Sequence, residues 1–427
     1  MTSKRSILSW CLYDWANSAF PTVIGTFVFS VYFARGIHGD EIAGSAAWGD
    51  AIALSGLGVA LFSPVFGAIA DNTGRLKPWL AVFVLMTILP TTFLWFARPD
   101  VAYITYALLL VIVASVAFEL GNVFYNALLP SVAPKGMMGR VSGWGWGLGY
   151  VGGLACLVFC LVALIQPEQP WFGVGTDEAA NVRATTIVVA IWFAVFALPL
   201  FAFTRDKPAT GLGPVEAVHK GLMSLWATVR KVRAYGQVVR YLIASALYRD
   251  GLSTLFAVGG LYAAGTFGLS FEQILIFAIG LNVTAGIGAV GFAWVDDIVG
   301  SKPTILIALA GLCVAGVPIL FIESQTLFIS FALALGIFVG PAQAASRTLM
   351  ARLSPPDMET EFFGLYALTG RAVSILGPFF FARATEMFDS QRVGMSTIIF
   401  WFVLGGLVLL GVREPKARAE TARPETV

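Results

Sequence analysis

The chain is poor in the residues on which most aqueous chemistry depends. Among 427 residues there are two histidines and four cysteines, and only 12% are charged. A soluble domain carries roughly twice that charge fraction, about 25%, so there is too little polar surface to cover several water-soluble cores. Both histidines, His38 and His219, sit in loops. No apolar segment therefore holds a histidine relay, a His–carboxylate pair or a His–Glu metal helix, which argues against a membrane-embedded enzyme. Cys11, Cys156, Cys160 and Cys313 all lie inside apolar runs without an accompanying ligand cluster, so they read as buried free thiols, and no metal or cofactor is expected. No Gly-rich loop ending in Lys-Ser or Lys-Thr occurs, which argues against ATP-driven transport by this chain. The net charge of +2 is scattered among short loops, whereas nucleic-acid binding needs a concentrated basic face. A cleavable leader is also not evident: the first apolar run starts near Ile7 and stays free of Lys and Arg to Arg35, too long for a leader core.

Apolar residues, by contrast, are abundant. They make up 58% of the chain, with 34 Phe and 12 Trp, and the mean hydropathy is +0.81. Many runs approach the ~20 residues that cross a bilayer as a helix. Bounded by charges and turn residues, they predict about twelve spans, near 7–34, 48–70, 78–97, 101–129, 138–165 and 184–203, then 237–265, 272–293, 303–322, 326–350, 361–383 and 394–412. The expected fold class is all-α and membrane-integral. With the N-terminus inside, most of the 27 Lys and Arg fall in inner loops and tails; the outer loops hold Arg35, Arg98, Arg183, Arg383 and Arg392. That bias predicts cytoplasmic termini and multi-pass insertion in a plasma membrane, the inner membrane of a bacterium.

The one long polar interruption, about 204–236, divides the spans into six and six. This predicts an N-terminal bundle over 1–203, a linker over 204–236, a C-terminal bundle over 237–412 and a cytoplasmic tail over 413–427. Within the linker Val215, Val218, Leu222, Leu225, Val229 and Val232 recur at helical spacing beside Lys220, Arg230, Lys231 and Arg233, the pattern of an amphipathic helix on an anionic leaflet. The two halves resemble each other. LYDWANSAF from Leu12 matches LYRDGLSTLF from Leu247, pairing Tyr13 with Tyr248 and Asp14 with Asp250. DNTGRLKP from Asp71 matches DDIVGSKP from Asp296, and a shift of 221 aligns Leu128 with Leu349, Gly143 with Gly364 and Gly149 with Gly370. A duplicated six-helix unit predicts two bundles that rock about a central site, the architecture of transport.

GAIADNTGRLKPW, beginning at Gly67, joins spans two and three. It resembles the signature loop of the major facilitator superfamily, and that resemblance implies a gating role for Gly67, Asp71, Gly74 and Arg75, with Asp297 in the second copy. Asn72 departs from the pattern, since a base is usual there. The opening segment WCLYDWANSAFPTVIGTFVFSVYF, from Trp10, resembles the branch of the superfamily that contains the fungal vacuole effluxer, linked to amino-acid export, and many bacterial relatives. The resemblance implies two six-helix bundles, alternating access and a small-molecule substrate.

Ionisable groups inside the spans are the candidate site, because each costs at least ~2.5–3.5 kcal/mol unless it faces a cavity or partner. Asp14, Asn17 and Ser18 share one face of span one, and Glu119, Asn122 and Asn126 share one face of span four. The second half offers Tyr248, Arg249 and Asp250 in span seven, Gln343 and Arg347 in span ten, and Arg371 in span eleven. Acids without bases in one half and arginines in the other suit a zwitterion such as an amino acid. Its carboxylate would be near Arg371 or Arg347 and its ammonium near Glu119 or Asp14, with Asn17, Asn122, Asn126, Gln343 and Tyr248 as further substrate contacts. The alternative is that Glu119 and Arg371 simply neutralise each other. Asp14, Glu119 and Asp250 are the candidates for proton coupling; sodium is the less favoured ion. Trp144 and Trp146 read as an interfacial belt. The expected protein is a functional monomer moving a small zwitterion in the bilayer. An exporter of an amphiphile, such as a drug or lysolipid, is the alternative, followed by a non-transporting sensor.

Overall fold

In the computed structural model, which describes residues 3–415, the apolar runs are helices. The first half contains α1 (Lys4–Ile37), α2 (Glu41–Thr73), α3 (Lys77–Phe96), α4 (Val101–Val132), α5 (Met138–Ile165) and α6 (Asp177–Phe203). The linker forms α7 (Pro214–Arg230). Then follow α8 (Gly236–Phe267), α9 (Phe271–Val299), α10 (Ser301–Ile319), α11 (Gln325–Leu353), α12 (Glu359–Phe388) and α13 (Gln391–Leu410). Among the described residues eleven of these are long and apolar enough to cross a membrane. The helix at the seventh predicted span, α8, has 32 residues but is less apolar because Arg240, Arg249 and Asp250 interrupt it. Four helices, α2, α6, α9 and α12, run a turn or more past the predicted limits, into the polar residues that bounded the apolar runs. The predicted tail lies outside the described residues from position 416 onward.

Local chemistry sets the ends and the irregularities. Asp40 accepts from the Ile42 and Ala43 amides at 2.9 and 3.0 Å and starts α2, while Ser270 and Gln273 form a reciprocal capping box on α9. Gly74 and Gly300 end α2 and α9 at φ +80° and +101°, backbone that a side chain would strain. Pro21 has no amide to donate, and α1 widens into π-helical turns over Phe20–Phe27. The second irregularity is in α12, which breaks at Ser374 and Ile375 into Glu359–Val373 and Leu376–Phe388. Large apolar side chains such as Leu54, Leu57 and Leu61 are exposed along one face of α2, a surface suited to lipid.

Glycines and aspartates join the halves at the end of the bundle that carries the start of α1 and the close of α13. There α2 packs on α12 and α5 on α9. A methyl group on Gly364 would overlap the backbone of Ser63 and Pro64, and one on Gly143 would strike Ala289 and Ala293, so both positions require the missing side chain. Asp71, at the end of α2, accepts from the Thr360 and Glu361 amides at 3.2 and 2.7 Å. Asp297, at the end of α9, accepts from the Gly139 and Arg140 amides at 2.7 and 3.1 Å. Each carboxylate thus sits on the N-terminus of a helix from the opposite half, where free amides and the helix dipole favour negative charge.

Within each half the same chemistry recurs. Lys77 donates to the Phe201 and Thr204 carbonyls at the end of α6, and Asp206 accepts from the Leu76 and Lys77 amides. Lys302 donates to the Leu410 and Val412 carbonyls at the end of α13, and Glu414 accepts from the Ser301 and Lys302 amides. The linker helix α7 lies against α2: Gly221 is on Ile69, and Ser224 donates to Glu361 at 3.0 Å. Val215, Val218, Leu222 and Trp226 point away from the protein.

Each aspartate cap is expected to contribute about 1 kcal/mol to closure of this end. Ser63 is fully buried against Gly364, so a Ser63→Cys reporter, in a chain whose four native cysteines are replaced, should alkylate only when the halves part. Asp71→Asn or Asp297→Asn should speed that alkylation by about fivefold, and the pair together by more. An unchanged rate in the double variant would mean that apolar packing alone holds the end shut.

Candidate functional site

A polar cavity of about 240 Å³ lies between the halves, lined from α4 by Glu119, Asn122 and Asn126, from α8 by Arg249 and Ser253, and from α12 by Tyr366, Gly370, Arg371 and Ser374. Glu119 and Arg371 meet there, the guanidinium donating to the carboxylate. Their side chains remain 31% and 33% exposed, so the pair opens onto the cavity instead of being sealed in protein. Arg371 stands three residues before the break in α12. Beyond the break, Asp250 accepts from the Gly377 amide at 2.7 Å, capping the second segment of α12. The other oxygen of Asp250 is buried without a partner among the described residues.

Arg347 and Asp14 form a different kind of pair. Arg347 donates to Asp14 at 2.9 Å, to the Ser142 hydroxyl at 3.0 Å and to the Ser142 carbonyl at 2.7 Å, with a longer bond to Asn126 at 3.4 Å. Its guanidinium also sits over Trp10 and near Tyr125 and Trp146, at 4.7, 5.6 and 5.6 Å from the ring centroids. The side chains are 5% and 13% exposed. Gly145 is tightly packed against both, a Cβ there falling 2.6 Å from an Asp14 oxygen. Arg347 is therefore committed to protein partners from α1, α4 and α5 and does not line the cavity with Arg371.

Other sequence expectations divide in the same way. Asn17 donates to Asn122 at 3.0 Å, bracing the cavity wall from α1, and Gln343 accepts from Tyr150 at 2.6 Å, bridging α11 to α5. Tyr248 is fully buried and bonded to Ser346 at 2.6 Å; its ring belongs to the packing of the second half, as that of Tyr13 belongs to the first, and neither faces the cavity. In the signature loop, for which a gating role was expected, Gly67 lies against the Thr360 and Glu361 backbone, while Asp71, Gly74 and Asp297 have the cap and turn positions described above. Arg75 departs from expectation: it is exposed and has no side-chain partner among the described residues, whereas Lys77 supplies the ordered charge. Trp146 faces Arg347 instead of forming an interfacial belt; Trp144 packs on Trp294 at 6.0 Å.

Sequence reasoning passed over Tyr366, Ser374, Ser253 and the role of Arg249 in this wall. Their signal was helical spacing, since 249 and 253, and 366, 370 and 374, each form a small or polar stripe. A second cavity of about 630 Å³ lies toward the end of the bundle away from the termini. It is lined mainly by apolar residues including Tyr262, Phe277, Phe328 and Phe402, with Pro21, Thr22 and Thr26 from the widened part of α1. Among the described residues no group of His, Cys, Asp and Glu is arranged to hold a metal ion.

The fold is that of the major facilitator transporters. The chain superposes on a proton:xylose symporter, XylE, with a TM-score of 0.73 at 14% identity, covering 97% of this chain and 96% of that one. It superposes on the transporter FucP in its outward conformation with a TM-score of 0.76 at 11% identity, covering 96% and 99%. In sequence it is 28% identical over 409 residues to the uncharacterized MFS-type transporter YxiO of Bacillus subtilis, covering 95% of this chain and 94% of that one. It is 23% identical over 294 residues to autophagy-related protein 22-1 of Neosartorya fischeri, covering 61% of this chain but only 46% of that longer protein. Residues 36–422 match the family described as vacuole effluxer Atg22 like, and the chain belongs to that family of secondary transporters.

Proposed function

We propose that this transporter moves an amino acid or a similar small zwitterion by proton-linked alternating access. The observation that carries the reading is the open Glu119–Arg371 pair, contributed by opposite halves and facing a small polar cavity. A zwitterion presents the two charges that such a pair presents, so its ammonium and carboxylate can replace the protein partners without leaving a charge unpaired. Exchange of internal for ligand ion pairs costs little in either direction, which suits a site that must load and release.

The aspartate caps supply the gate. They close the end that carries the termini, and the excess of Lys and Arg there supports a cytoplasmic assignment. The protein is then shut toward the cytoplasm, with the 630 Å³ cavity on the external side. Return requires the caps to break and the external halves to close. Glu119, Asp14 and Asp250 are the carboxylates available for the proton, and Glu119 is the one that shares the cavity with a solute. The protein is proposed to act as a monomer in a bacterial inner membrane. A second reading, export of an amphiphile, draws on the apolar lining of the 630 Å³ cavity.

Counterflow of labelled amino acids into proteoliposomes should show uptake that rises or falls with an imposed pH gradient. Flat counterflow for every amino acid, by folded protein, would reject the zwitterion reading, and uptake of a labelled lysolipid would then favour the amphiphile.

Arg371→Ala and Glu119→Gln should each abolish that transport, by about 100-fold or more, while the protein still folds and inserts. Unaltered transport by both variants would reduce the pair to a structural bridge.

A further inference from the structure

Arg249, Arg347 and Arg371 lie well inside their helices, and two of these have carboxylate partners, Arg347 with Asp14 and Arg371 with Glu119. The third, Arg249, does not. It stands near the middle of α8, packed over the Tyr366 ring at 4.0 Å from the centroid, and its hydrogen bond is a long one to the Tyr366 carbonyl, 3.4 Å. No carboxylate lies within ion-pair distance of it among the described residues. Its neighbour Asp250 is bound instead to the Gly377 amide. The ring face balances part of the charge but accepts no conventional hydrogen bond from the remaining N–H groups, which have no acceptor among the described residues.

Arg249 lines the same cavity as Glu119 and Arg371. That wall therefore carries two guanidiniums against one carboxylate, an excess of one positive charge in a setting where unpaired charge is costly. Gly370 leaves the space: a Cβ there would lie 3.1 Å from a terminal nitrogen of Arg249. The cavity, about 240 Å³, is below the roughly 300–1,000 Å³ of drug-sized pockets.

We infer that Arg249 is the anion anchor of the cavity and that the substrate is a small carboxylate, bound by the guanidinium fork of Arg249 and oriented on the face of Tyr366. Arg371, on the same cavity wall, then faces the ligand carboxylate as a second base when a ligand ammonium takes its place at Glu119. This deepens the proposed function and rests on it for the amine, though not for the carboxylate.

The test is thermal unfolding of the purified full-length protein against three probe sets: each protein amino acid, the carboxamide of each, and the simple carboxylates propionate, butyrate and succinate. At least one amino acid should raise the unfolding temperature of the wild type, while its carboxamide, which keeps the ammonium and loses the negative charge, should not. Arg249→Gln should weaken binding of that amino acid by about tenfold or more. Arg249→Lys, which keeps the charge without the fork, should fall between and also serves as the folding control. Wild-type affinity in a folded Arg249→Gln protein would overturn the anchor and leave amino-acid transport standing, as would a carboxamide that binds as well as its acid. Binding of simple carboxylates alone, lost in Arg249→Gln, would support the anchor and reject the zwitterion. Failure of every carboxylate to bind the wild type would reject both.

Discussion

Two carboxylates bound to helix ends across the molecule are the interaction on which this structure depends. Asp71 holds the amides of residues 360 and 361, and Asp297 holds those of residues 139 and 140. The shift of 221 that aligns the halves carries 139 onto 360 and 140 onto 361, so the two contacts are one device used twice. In the proposed transport cycle these contacts have to be strong enough to close one end and weak enough to reopen it. Charge on a helix terminus meets that requirement, contributing about 1 kcal/mol per site. A large apolar seam would hold too firmly. The glycines beside the caps keep the approach close while adding little buried apolar area.

The duplication is not exact, and its departures alter the device. At the second cap Arg140 adds its side chain to Asp297 at 2.7 Å. The corresponding residue in the other half is Glu361, which cannot help bind Asp71 and instead accepts from Ser224 of the linker helix. One cap is reinforced by a base of the bundle, while the other places two acids near each other and relies on α7 to occupy one of them. The linker is thereby part of the closed end as well as a connection. Its apolar stripe, left exposed at Val215, Val218 and Leu222, gives the same helix a second surface, suited to the membrane interface.

Much of the fold was legible because its signals are local. Apolar run length gave the helices, and repeated strings revealed the duplication. The site was legible only to the level of helix faces. Periodicity put Asp14 and Glu119 on polar stripes and identified Arg347 and Arg371 as unusual, yet it could not say which acid meets which base, because partners depend on how two faces are turned toward each other. Asn126 and Arg347, the same position in each half, meet near the pseudo-twofold axis, so Arg347 is drawn to Asp14 and away from the cavity. Register was a further obstacle. Aligned without a gap, Asp71 falls opposite Asp296; the structure makes Asp297 its counterpart, because two residues separate Gly74 from Lys77 and only one separates Gly300 from Lys302. Tyr248 illustrates the same limit, since an aromatic next to an intramembrane charge carries no local mark of facing the core.

Charge inside the bundle is finally of two kinds, and the difference lies in how completely each group is satisfied. The Asp14–Arg347 pair is enclosed by Ser142, Asn126 and aromatic rings, so separating it would strand charges in a dry interior. It favours a fixed relation among α1, α5 and α11. The Glu119–Arg371 pair is half open, and the chain close to it is discontinuous. Ser374 and Ile375 interrupt α12, and Asp250 caps the segment beyond. Arg371 therefore stands one turn before a two-residue turn that joins the two segments of α12. The segment before that joint begins at Thr360 and Glu361, the amides held by Asp71. Cavity and closed end thus share one piece of helix, Glu359–Val373, which carries Arg371 near one end and the amides capped by Asp71 at the other.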